Sequence, residues 1–211
     1  MKKMMISALV ALASIGLGHV APAEAAAEHN SYRYKGDSAT AYFWNYEESA
    51  DGYCGVYTGV DVYAHSQKFK MEPGAPSDGG YLSVYVYQYD SCTWTSLVSG
   101  YGSTSDFDLS MQGMNSAVVS ATLELHDWMS NMSVPVEVNL VLTGQGDAFH
   151  GMNNSLQRAG NYMVKTRENG SYRMASGAGS VVANGVEIPI GGDAYAQLSS
   201  VQYGSSSTFK F

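Results

Sequence analysis

The sequence predicts an all-β protein: an antiparallel β-sandwich, or a partly open barrel, of about ten short strands, preceded by a cleaved signal peptide. Three observations carry that expectation. Apolar and polar residues alternate with period two in segment after segment, and no sustained 3.6-residue periodicity is present. Glycine and serine punctuate those segments, with 23 glycines along the chain. The apolar fraction is 45% and 16 residues are tyrosine, a composition that suits packed strands and argues against a disordered chain.

The N-terminus reads as an export signal. Lys2 and Lys3 precede an apolar stretch, Met4 to Leu17, that is too short to span a bilayer comfortably. Ala23-Glu24-Ala25 then offers a small-residue exit, so residues 1–25 are expected to be removed and 26–211 to form one secreted domain, extracellular or periplasmic. Cleavage leaves nine lysines and arginines against eighteen acids, a net charge of −9. Such an acidic chain is a poor partner for nucleic acid or an anionic bilayer, and no later stretch forms a stable membrane span. Cys54 and Cys92 are expected to pair as a disulfide in an oxidising compartment.

Strands are expected, in order, at Ala39–Tyr46, Val56–His65, Tyr81–Tyr89, Thr93–Val98, Val118–His126, Val134–Thr143, Tyr162–Glu168, Ser171–Ser176, Gly179–Ala183 and Ala194–Val201. The clearest turn signal is Asn169-Gly170, a dipeptide suited to the positive φ angles of a tight hairpin. Gly74, Pro76, Asp78, Gly79 and Gly80 mark a longer loop, and Asn153–Ala159 is the one segment with a helical reading. In the later half, Val134, Val136, Val138, Leu140 and Leu142 alternate with residues that include Glu137 and Asn139, the pattern of strands buried on one side and wet on the other.

The cysteines also predict a register. If Val56–His65 and Tyr81–Tyr89 form a hairpin with Cys54 opposite Cys92, then Tyr57 faces Tyr89, Gly59 faces Tyr87, Asp61 faces Tyr85 and His65 faces Tyr81. One side of that hairpin then holds Val56, Val60, Val62, Leu82, Val84 and Val86. A slip of one residue would mix the two sides, so loop position, alternation and cysteine pairing point to the same arrangement.

The opposite side of these strands is aromatic. Tyr81, Tyr85, Tyr87 and Tyr89 share it with Tyr57 and Tyr63, and the preceding strand adds Tyr42, Trp44 and Tyr46. Flat rings of this kind stack against sugar rings while their hydroxyls stay hydrated, and Asp61 and His65 on the same side supply polar contacts. The competing reading is a tyrosine-filled core beneath a second layer. A further cluster, Arg158, Lys165, Arg167 and Arg173, gathers around the expected Asn169-Gly170 hairpin. It reads first as a solvated hairpin and second as a contact for an acidic polymer or phosphate groups.

Catalytic chemistry finds no anchor in the sequence. There is no Gly-x-Ser-x-Gly elbow and no His-Glu-x-x-His helix. Glu47, Glu48 and Asp51 lack the spacing of a glycosidase carboxylate pair, and Asp147 with His150, or Asp106 with Asp108, fall short of a metal ligand set. No cofactor and no metal is implied. The expected function is a non-catalytic extracellular binding module for carbohydrate or another cell-surface ligand. A self-assembling surface or matrix protein is the runner-up. A membrane-inserting toxin built on Gly100–Asn115, or a hydrolase, follows behind.

Overall fold

The computed structural model describes residues 28–191 and 194–209, so the expected signal peptide lies outside the described residues. The described residues form eleven strands: β1 (Glu28–Glu48), β2 (Gly55–Glu72), β3 (Pro76–Asp90), β4 (Thr95–Thr104), β5 (Asp108–Met111), β6 (Ser116–Asp127), β7 (Met132–Gly144), β8 (Phe149–Ala159), β9 (Tyr162–Ala183), β10 (Val186–Ile190) and β11 (Tyr195–Phe209). Every pairing is antiparallel. Hydrogen bonding runs β9–β11–β1–β2–β3–β4–β6–β7 and back to β9, so the sheet curls into a ring. The ring is thinnest between β4 and β6, which share two residue pairs, Gly100 with Asp127 and Tyr101 with His126.

The inside of the ring is aliphatic. Alternate residues of each strand point inward: Ala39 and Ala41, Val60 and Val62, Leu82, Val84 and Val86, Val119, Leu123 and Leu125, Val134 to Leu142, Val181 and Leu198, all buried. A ring of eight strands leaves an interior just wide enough for such side chains, which explains why no aromatic residue is among the buried core. Each fully buried valine or leucine contributes about 1.5–3 kcal/mol. Between them, tyrosines, acids and hydroxyls face outward. No helix of the described residues is long and apolar enough to cross a membrane.

The β2–β3 hairpin has the register predicted from the cysteines. Tyr57 lies opposite Tyr89, Gly59 opposite Tyr87, Asp61 opposite Tyr85 and His65 opposite Tyr81. Cys54 and Cys92 are bonded across its open end, with Cα atoms 5.0 Å apart. That end lies beyond the tightly packed core, so Val56 and Cys54 are half-buried and Cys92 is exposed.

Three local expectations are corrected. Asn169-Gly170 is not a turn: β9 runs straight through it, because β11 pairs on one flank (Gln202 with Asn169) and β8 on the other (Met152 with Asn169). The tight Asn-Gly turn is instead Asn184-Gly185, with φ of 52° and 78°, joining β9 to β10. The segment 153–159 is strand rather than helix, drawn into pairing by β9 although it buries neither face. Pro76, Asp78, Gly79 and Gly80 belong to β3 rather than to a loop, extending the hairpin to Lys70 opposite Pro76. The strands are accordingly longer than expected, reaching 22 residues in β9.

Candidate functional site

The aromatic side of β1 to β4 is the outer wall of the ring, and among the described residues no second layer covers it. Tyr42, Trp44, Tyr46 and Tyr81 are exposed, while Tyr57, Tyr63, Tyr85, Tyr87 and Tyr89 are half-buried by one another. Alternation places them there: with Ala41, Val60, Val62, Val84 and Val86 committed to the interior, their neighbours in sequence face outward.

Register arranges these side chains in rows across the strands. The central row reads Tyr195, Tyr42, Asp61, Tyr85 and Tyr101, contributed in turn by β11, β1, β2, β3 and β4. At about 4.8 Å per strand this row spans roughly 19 Å. Above it, Tyr46 and Tyr57 pack with ring centroids 4.4 Å apart, and Trp44 lies 6.0 Å from Tyr57. Trp44 also covers Gly59, where a Cβ would sit 3.3 Å from the indole Cε3, so the glycine provides the seat for the ring. Tyr87 and Tyr89 stack alongside at 6.4 Å. Below the row, Tyr63 sits 5.6 Å from Tyr81 and 6.2 Å from His65.

The polar groups on this wall differ in how they are satisfied. His65 Nε2 lies 3.3 Å from the Tyr34 hydroxyl, and its Nδ1 is enclosed with no hydrogen-bond partner. Asp61, between Tyr42 and Tyr85, has no hydrogen-bond or ion-pair partner among the described residues. Asp61 is exposed as a residue, and partial desolvation of its carboxyl beside the neighbouring rings raises it above the usual carboxylate range. Burial likewise pushes the half-buried Tyr63 hydroxyl up, reinforced by its neighbour Tyr81. A partly desolvated carboxylate with free lone pairs, set flush among flat rings, accepts hydroxyl donors from a ligand lying across the row.

Three members of the wall are additional to the nine aromatic residues expected from sequence. Tyr195 and Tyr101 end the central row, and Trp128 sits 5.8 Å from Tyr85. Tyr195 alternates with the inward Ala194 and Ala196, a signal present in the sequence. Tyr101 alternates with Gly100 and Gly102, which face inward without an aliphatic side chain to reveal it. Trp128 lies in the β6–β7 turn and reaches the wall only through ring closure.

The other candidates stay apart. Glu47 and Glu48 end β1, and Asp51 accepts hydrogen bonds from the Ser49 hydroxyl and the Tyr53 amide. Asp127 is bound to backbone amides of Ser99, Met129 and Ser130 and to the Ser130 hydroxyl, a structural use of the acid. Among the described residues no group of three or more His, Cys, Asp or Glu converges as a metal site. No protein-family model matches the chain, and no curated protein matches it.

Proposed function

We propose that the protein is a secreted, non-catalytic binding module whose aromatic wall holds a carbohydrate chain or a comparably flat, hydroxyl-rich ligand on a cell surface. The observation that carries this reading is the unpartnered Asp61 carboxylate set between Tyr42 and Tyr85 in an uncovered row of tyrosines. Sugar rings present an apolar face for stacking and equatorial hydroxyls for hydrogen bonding, and the row supplies a partner for each. A patch of this extent on a monomer ordinarily serves an interaction. The disulfide is in keeping with an oxidising compartment outside the cytoplasm.

Replacing Tyr85 and Tyr87 together with alanine tests the reading. Affinity electrophoresis through polysaccharide gels should show retardation of the native protein and free migration of the variant, with unchanged circular dichroism. A folded variant that is still retarded removes the proposal.

A second reading, self-assembly, has its own support. β8 is an edge strand exposed on both faces, pairing only with β9, and its Phe149 and Met152 are open to solvent. Such an edge offers unpaired backbone groups to a second copy. Light scattering that stays monomeric up to high concentration would dismiss it.

A further inference from the structure

Beyond the ring, β8, β9, β11, β1, β2 and the start of β3 continue as an open sheet, and the face that is aliphatic inside the ring becomes cationic there. Arg33, Lys35, Lys68, Lys70, Lys165 and Arg167 all fall on it, six of the eleven lysines and arginines of a chain whose net charge is −8. Pairing sets like charges directly opposite one another, Lys35 across from Lys68 and Arg33 across from Lys70. Such pairs are destabilising in an unliganded sheet.

Neutralisation is incomplete. Lys35 meets Asp37 at 2.6 Å, Lys70 meets Glu72 at 2.8 Å and Lys68 approaches Asp78 at 3.7 Å. Arg33, Lys165 and Arg167 have no carboxylate within ion-pair distance among the described residues, leaving an excess of positive charge.

The two unpaired arginines flank a gap. Gly204 of β11 pairs with Arg33 on one side and Arg167 on the other, and a Cβ at Gly204 would meet nothing nearer than the Arg167 carbonyl oxygen at 4.0 Å. The floor between the guanidinium groups is therefore bare backbone. A cavity of about 750 Å³ opens over it, its lining including Arg33, Lys35, Lys68, Lys70 and Arg167 with one carboxylate, Asp78. A smaller recess of about 310 Å³ shares the two arginines and adds Lys165, Ser205 and Ser206.

We infer that this cradle binds a compact oligoanion carrying clustered sulfate or phosphate esters, with one ester over Gly204 between Arg33 and Arg167. Guanidinium groups grip tetrahedral oxyanions through paired N–H donors, and the lysines hold neighbouring esters as point charges. The cavity suits a ligand of a few rings. A long polyanion such as nucleic acid would run on past the cradle over an acidic surface, which repels it.

Calorimetry at low and physiological salt, with myo-inositol hexakisphosphate and a heparin-derived hexasaccharide as probes, tests the inference. Binding of either or both is expected, the first alone indicating a free polyphosphate and the second alone a sulfated glycan. Arg33→Gln with Arg167→Gln should weaken binding roughly 10- to 100-fold, and Lys35→Gln with Lys68→Gln should weaken it independently. The arginine pair should not lower the melting temperature of the free protein, since it relieves the opposition of Arg33 and Lys70 and breaks no ion pair. The Tyr85→Ala, Tyr87→Ala protein should bind the probes unchanged, which separates this site from the aromatic wall. Absence of binding by both probes, undiminished binding in both charge variants, or equal affinity for a single-stranded DNA of matched charge would overturn the inference.

Discussion

At the scale of single residues, two aspartates make opposite contributions. Asp127 is buried at the ring's seam, and its hydrogen bond from the Ser130 hydroxyl, followed by backbone amides, holds its carboxyl below the usual range. Its stabilisation is present above the unfolded-state value and is lost as pH falls through the lower folded-state value, below about pH 4. Asp127→Asn should therefore cost about 1–3 kcal/mol at neutral pH, with the gap from the native protein closing in acid. Asp61 has the reverse sign. Desolvation raises its folded-state value, so ionisation opposes folding as pH rises through it. Asp61→Asn should melt no lower than the native protein at pH 7 while losing retention on a carbohydrate ligand. Melting curves across pH 3–8 check both, and a neutral-pH loss of stability in the Asp61 variant would contradict its assignment as a group retained for binding.

At the scale of strands, the ring depends on its weakest junction. Gly100 and Gly102 bring β4 against β6, and a Cβ at Gly100 would collide with the His126 carbonyl oxygen and the Leu125 side chain. Gly100→Ala should cost roughly 1–3 kcal/mol and accelerate amide exchange in β4 and β6 ahead of β1 and β2. Uniform exchange rates would show that the junction is no weaker than the rest. The strands also show what sequence does and does not disclose. The β2–β3 register was legible because the alternation, the loop and the cysteine pair constrained the same hairpin, down to Asp61 opposite Tyr85. β8 was not, since a strand exposed on both faces has no buried side to impose alternation. Nor was the continuity of β9, because local turn preference at Asn169-Gly170 yields to pairing partners on both flanks, contributed by distant segments.

At the scale of the molecule, nonlocal pairing decides what the surface presents. The aromatic wall was foreseeable strand by strand, whereas the cationic cradle was not: Arg33, Lys68 and Arg167 lie far apart in sequence and meet only through β1, β2, β9 and β11. The basic residues expected on one hairpin are divided by the real topology. Arg173 braces loops by donating to the Met114 and Gly146 carbonyl oxygens and to Asn115, while Lys165 and Arg167 face the cradle. The disulfide ties the β2–β3 hairpin, closing a separation of 38 residues. Replacing both cysteines with serine should cost up to about 4 kcal/mol in the chain-entropy account, lowering the melting temperature by roughly 8–16 °C. A shift below a few degrees would mean that the unfolded hairpin is already constrained.

The first and last strands pair along their full shared length, ending with Glu28 beside Phe209. Both ends of the described fold thus emerge at one place, at the cradle's outer rim and away from the tyrosine wall. A reporter or anchor spliced to either one would hang from the same pole, leaving the aromatic flank facing outward like the palm of a hand held by its wrist.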